Sequence, residues 1–158
     1  MKKIILAVAF FLLGASPSLY AHCQVPCGIY DDEMRIHQME EHIATIEKSI
    51  KMIQELSQAG EKNYNQIVRW VNNKEDYAKE ISGVVVDYYM TQRLKPHQPG
   101  EAGYDKYIKE LTLLHEMLVT GMKAKQTTDI ETVSKLRTLL SDFEQLYFEP
   151  EIPAVKAE

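Results

Sequence analysis

Between Asp32 and about Ser57 the apolar residues stand at Ile36, Met39, Ile43, Ile46, Ile50 and Ile53, in alternating steps of three and four with charged residues between them. That spacing draws one stripe along a helix, whereas a half-buried strand would need alternation with period two. A second stretch, from about Asn63 to Leu94, repeats it with Ile67, Trp70 or Val71, Tyr77, Ile81, Val84 or Val85, Tyr88 and Leu94. Gly83 is a weak point there that a helix tolerates. Lys95-Pro96-His97-Gln98-Pro99-Gly100 ends the stretch. Tyr104, Tyr107, Ile108, Leu111, Leu114, Leu118 and Met122 outline a third helix. A fourth is expected to open on Thr128-Asp129-Ile130-Glu131, a capping-box pattern, and to run through Val133, Leu136, Leu140, Phe143 and Tyr147 until Pro150 and Pro153 close it. Four amphipathic helices on short polar loops bury their stripes against one another. The expected fold is therefore all-α, an antiparallel up-and-down four-helix bundle over residues 31–150 with a flexible tail at 151–158.

The bundle hosts many chemistries, so function has to be read from a site. The N-terminus begins Met1-Lys2-Lys3, continues with an apolar run from Ile4 to Leu13, and reaches small residues ending at Ala21. This is the layout of a secretory signal peptide over residues 1–21. The apolar run falls well short of the ~20 residues a spanning helix needs, so export and cleavage are expected rather than anchoring, with no stable membrane association afterwards. Cleavage after Ala21 is favoured, and cleavage after Ala15 competes. The small residue that lipoprotein processing wants before Cys23 is absent. The destination is the periplasm or the extracellular space. The leader carries two lysines and no acid, so the mature chain keeps 16 Lys and Arg against 23 Asp and Glu, a formal net charge of −7. A general nucleic-acid binder would carry the opposite sign. Both cysteines, Cys23 and Cys27, lie near the new N-terminus, which excludes disulfides distributed through the fold.

The body offers no metal motif. Di-iron bundles place Glu three residues before His, but Met34, Met39, Leu94 and Thr112 precede His37, His42, His97 and His115. His115-Glu116 begins like a zinc-protease helix, yet Val119 stands where the second histidine belongs. His37 and His42 are read as surface residues. Cys23 and Cys27 enclose three residues with no histidine after them, so covalent haem attachment does not fit. Tyr77, Tyr104 and Tyr107 fall at core spacing and are read as packing.

What remains is His22-Cys23-Gln24-Val25-Pro26-Cys27-Gly28-Ile29-Tyr30-Asp31. Once cleavage frees its amine, the segment offers an amine, an imidazole, an amide nitrogen that a metal can deprotonate, and two thiols. Amine, amide and two thiolates can form a square plane, with the imidazole left as an axial ligand, and square-planar nitrogen and sulfur ligation favours nickel or copper over tetrahedral zinc. Pro26 bends the span and Gly28 lets the chain leave it.

The segment resembles the N-terminal hook of nickel-containing superoxide dismutases, which reads His-Cys-x-x-Pro-Cys-Gly-x-Tyr; His22, Cys23, Pro26, Cys27, Gly28 and Tyr30 all match. Lys74-Glu75 and Asp87-Tyr88 are loosely similar to that family's second helix. The resemblance implies a hook over residues 22–30 that holds one nickel ion per chain. Its ligands would be the His22 amine and imidazole, the Cys23 amide and thiolate, and the Cys27 thiolate, and the Val25-Pro26 bond would be cis. It implies catalytic roles for Tyr30, standing over the open axial side, and for Tyr88 as a second tyrosine. It also implies ping-pong dismutation of superoxide through Ni(III) and Ni(II), with the subunits packed as a homohexamer. Gln24 stands where many members carry Asp, and the family's Glu and Arg that steady the axial histidine have no clear match here, although His37 and Arg69 lie near their places. The competing readings are an exported helical-bundle interaction protein with a Cys23-Cys27 disulfide, and a metal carrier without turnover.

Overall fold

A computed structural model describes residues 24–150 of the chain. The signal segment, His22, Cys23 and the tail at 151–158 lie outside the described residues. Helix α1 spans Asp32–Gln58; the Asp31 carboxylate caps it by accepting from the Met34 N–H at 2.9 Å, with Asp32 and Glu33 in the positively polarised first turn. Helix α2, Tyr64–Gly83, is capped by Asn63, whose side chain accepts from the Gln66 N–H. The chain then continues without a break as a π-helix over Val84–Arg93, α3 follows at Tyr104–Gln126 and α4 at Glu131–Phe148. Among the described residues no strand occurs, and no helix is long and apolar enough to cross a membrane.

Each helix packs on its sequence neighbour, and α4 closes on α1. Asp32, at the start of α1, bonds Arg93 at the end of the π-helix and Tyr147 near the end of α4. The first turns of α3 share one cavity with these residues. At the opposite end, Gln54 of α1 donates to the Thr128 carbonyl just before α4. Successive helices therefore run antiparallel, as the short loops required. The core joins the α1 stripe to Ile81, Val85, Tyr89, Leu114, Met117, Leu136, Leu140 and Phe143, with Tyr77 and Tyr107 packed at its margin.

Three local expectations differ from the structure. The Thr128 capping box does not form. Instead Asp129 accepts from the Glu131 N–H at 3.0 Å in a tight turn, and Glu131 becomes the first helical residue rather than the third. On α3 the buried stripe turns through Met117, Gly121 and Ala124, leaving Ile108 and Met122 outward, because small residues let α3 approach α2 closely. His42 is buried between α1 and α2 rather than on the surface. Its five-residue offset from exposed His37 carries it round onto the packed face.

Candidate metal centre at the N-terminal hook

Among the described residues, no group of three His, Cys, Asp or Glu side chains could hold a metal. The bundle thus offers no site of its own, and attention falls on the segment before α1. Its Val25-Pro26 bond is cis, as the resemblance implied. Gly28 has φ +77°, a left-handed conformation that side chains disfavour, and it turns the chain after Cys27. Cys27 is exposed and disulfide-bonded in this structure. To serve as a metal donor it would first have to be reduced to the thiolate, the form that binds metals. The donor chemistry of Cys27 then fits a nickel ion. His22 and Cys23, the other expected ligands, lie outside the described residues.

The hook is tied to the bundle by side chains on the π-helix. Gln92 donates to the Val25 carbonyl at 3.3 Å. The Tyr88 hydroxyl accepts from the Asp31 N–H at 3.0 Å and donates to Asp32 Oδ1 at 2.6 Å. The ring of Tyr30, 40% exposed, stands edge-on to Tyr88 with centroids 5.9 Å apart. The Arg93 guanidinium lies over the Tyr30 ring at 4.4 Å from its centroid. The structure therefore brings Tyr30 and Tyr88 together where the chain enters α1.

The π-helix explains how one short element does this. Its bonds run from residue i+5 back to residue i, as from the Leu94 N–H to the Tyr89 carbonyl at 2.8 Å. Residues five apart therefore stack on one face, and Tyr88 and Arg93 both reach Asp32. In an α-helix the same two side chains would diverge by roughly 140°. Such segments often mark functional sites.

Asp32 is the centre of this arrangement. Its carboxylate accepts from Tyr88, from Arg93 Nε at 2.8 Å and Nη2 at 2.6 Å, and from the Tyr147 hydroxyl at 2.9 Å; its carbonyl accepts from Tyr89 at 3.0 Å. Burial alone would raise the Asp32 carboxyl pKa, but the hydrogen bonds from Arg93, Tyr88 and Tyr147 hold it below the ordinary value. Burial, reinforced by the bond to Asp32, pushes the Tyr88 phenol up to about 12, so it keeps its proton across the neutral range. A second cation, Arg35, lies over the Tyr88 ring at 5.0 Å from its centroid and lines a cavity of about 220 Å³ with Val25, Pro26, Asp87 and Tyr88. Arg35 is a local cation that the acidic composition concealed, whereas the Arg93 charge is balanced by Asp32. Asp32, Arg93 and Tyr147 carry no motif in the sequence; an acid in a first turn and a basic residue at a helix end are ordinary there.

Comparison with known proteins gives two matches. The family described as nickel-containing superoxide dismutase matches residues 17–151. The curated superoxide dismutase [Ni] of Streptomyces seoulensis is 29% identical over 138 residues, covering 87% of this chain and 94% of the relative. No solved structure matches.

Proposed function

The chain belongs to the nickel-containing superoxide dismutase family, and from that premise we propose that its nickel is held by His22, Cys23 and Cys27 at an N-terminus freed by export and cleavage. It is an oxidoreductase that takes superoxide as substrate and nickel as cofactor. Held at that N-terminus, a nickel ion would supply the Ni(III)/Ni(II) redox chemistry by which two superoxide ions and two protons give dioxygen and hydrogen peroxide.

The observation that supports this site is the meeting of Tyr30 and Tyr88 at the base of the hook. Tyr30, exposed at its rim, orders water or substrate through its hydroxyl without ligating the metal. Tyr88 holds the chain leaving the hook by accepting from the Asp31 N–H, and its own proton is committed to Asp32. Arg35 supplies positive charge beside Tyr88 on a chain that is acidic overall, while the Arg93 charge is paired with the Asp32 carboxylate.

The hook leaves Val25 at 85% and Ile29 at 81% exposed, with Met34 also outward. Exposed apolar side chains favour burial by another subunit, and assembly as a homohexamer follows the family reading. Light scattering of the nickel-loaded protein at micromolar concentration tests this, and a monomer would count against it. We also propose export to the periplasm or beyond.

The decisive measurement is intact mass together with metal content of the exported protein. A chain starting at His22 with one nickel and dismutase activity is the expected result; a chain starting at Ser16 would remove the amine ligand and the proposal with it. Adding one Ala before His22 should abolish both nickel binding and turnover. An interaction protein stapled by a Cys23-Cys27 disulfide would be indifferent to that change.

A further inference from the structure

Tyr30 is a half-exposed side chain on a segment with few contacts, so something must set where its ring stands. Two groups pack against it, Tyr88 in a T-shaped contact and the Arg93 guanidinium 4.4 Å from the ring centroid. An unpaired arginine on a helix end samples many rotamers, but Arg93 is forked onto both oxygens of Asp32, whose side chain is only 16% exposed. A bidentate fork fixes the guanidinium plane as well as its position. The same carboxylate receives the Tyr88 hydroxyl. Both phenols are therefore referred to one carboxylate, which lies in the first turn of α1 and is anchored from the far side by Tyr147.

We propose that Asp32 is a positioning residue of this dismutase: by fixing the Tyr88 hydroxyl directly and the Tyr30 ring through Arg93, it sets where the two phenols stand at the junction of the hook with α1. Its consequence for turnover rests on the nickel reading given above, while the placement of the rings is a property of the metal-free chain. A purely structural role is the competing account, in which the cluster only ties the start of α1 to the ends of the π-helix and α4. That account predicts lost stability with the Tyr30 ring unmoved.

The two are separated with the reduced, nickel-free protein carrying labelled tyrosine rings, assigned through Tyr30→Phe and Tyr88→Phe. The wild-type chain should give a cross-ring nuclear Overhauser contact between Tyr30 and Tyr88. In Asp32→Asn, where the amide NH2 opposes the guanidinium, that contact should vanish and the Tyr30 shifts should move to those of a free tyrosine. Arg93→Lys keeps the charge but not the planar fork, and it should do the same at Tyr30 while leaving Tyr88 nearer its place. After loading to one nickel per chain, both variants should lose at least tenfold in kcat/KM. Unchanged ring signals in either folded variant would overturn the proposal, as would unchanged turnover once the contact is lost. Unfolding of both variants would assign the cluster to stability alone and overturn it equally. A wild-type protein without nickel or activity would strike the functional reading instead, and the metal-free spectra would still decide the role of Asp32.

Discussion

His42 lies between α1 and α2 with its ring centroid 5.2 Å from that of Tyr77, and neither ring nitrogen has a hydrogen-bond partner among the described residues. Burial pushes its pKa below 6.5, and the nearby Glu80 and Glu41 only partly oppose that. The folded chain therefore refuses a proton that the unfolded chain accepts. Above about pH 6.5 both states are neutral at this position and it contributes no pH dependence; as pH falls below that value, the unfolded state gains and stability drops. Replacing His42 by Leu should remove two unsatisfied polar atoms, stabilise the protein by about 1 kcal/mol at neutral pH and flatten this part of the acid limb in chemical denaturation. An unchanged limb would mean that other groups cause it. The spacing did carry this signal, since His42 stands three after Met39 and four before Ile46 at the edge of the apolar stripe, but its polar ring reads as a surface group. Tyr30 was legible by contrast, since it stands at a fixed distance from Cys27 in a short motif.

At the scale of elements, the π-helix and the end of α3 carry the least expected features. The second apolar stretch reads as one helix to Leu94, and it is continuous, but its last ten residues widen into the π form. No residue pattern announces that change; Gly83 marks where it begins. Inserting one Ala after Thr91, an exposed residue between Tyr88 and Arg93, puts the pair six apart and should rotate Arg93 away from Asp32. Circular dichroism should keep its helical amplitude while turnover falls at least tenfold; retained activity would show that the stacking of Tyr88 and Arg93 is dispensable. Lys74 is the other case. Although charged, it is 2% exposed, and its ammonium donates to the carbonyls of Ala124 and Lys125 at 2.5 and 2.6 Å. It thus satisfies acceptors that the last turn of α3 would otherwise leave open, at the negatively polarised end of the helix. Lys74→Met should cost about 1–3 kcal/mol in denaturant unfolding, with nickel content unchanged. A smaller loss would mean that water takes over the two carbonyls.

Taken whole, the molecule separates a stable scaffold from a chemically active end. The core is built from all four helices, whereas the described hook residues are mostly exposed and touch the bundle through Gln92, Tyr88 and Arg93. A chain beginning at Asp31 should remain folded, losing about 1 kcal/mol or less and about 5 °C in Tm, and should bind no nickel. Collapse of its helical signal would show instead that the hook is part of the fold. Four amphipathic stripes and one nine-residue motif were enough to predict the bundle, the metal and the reaction class. Periodicity dictates which face of a helix is buried, and the donor atoms of a contiguous segment keep their spacing in any fold. Tertiary structure alone decided that Asp32, Arg93 and Tyr147, separated by more than fifty residues at each step, meet beside Tyr30 and Tyr88. That meeting depends on the antiparallel order of the helices and on the wider turn of the π-helix, and neither leaves a local mark on the residues it brings together.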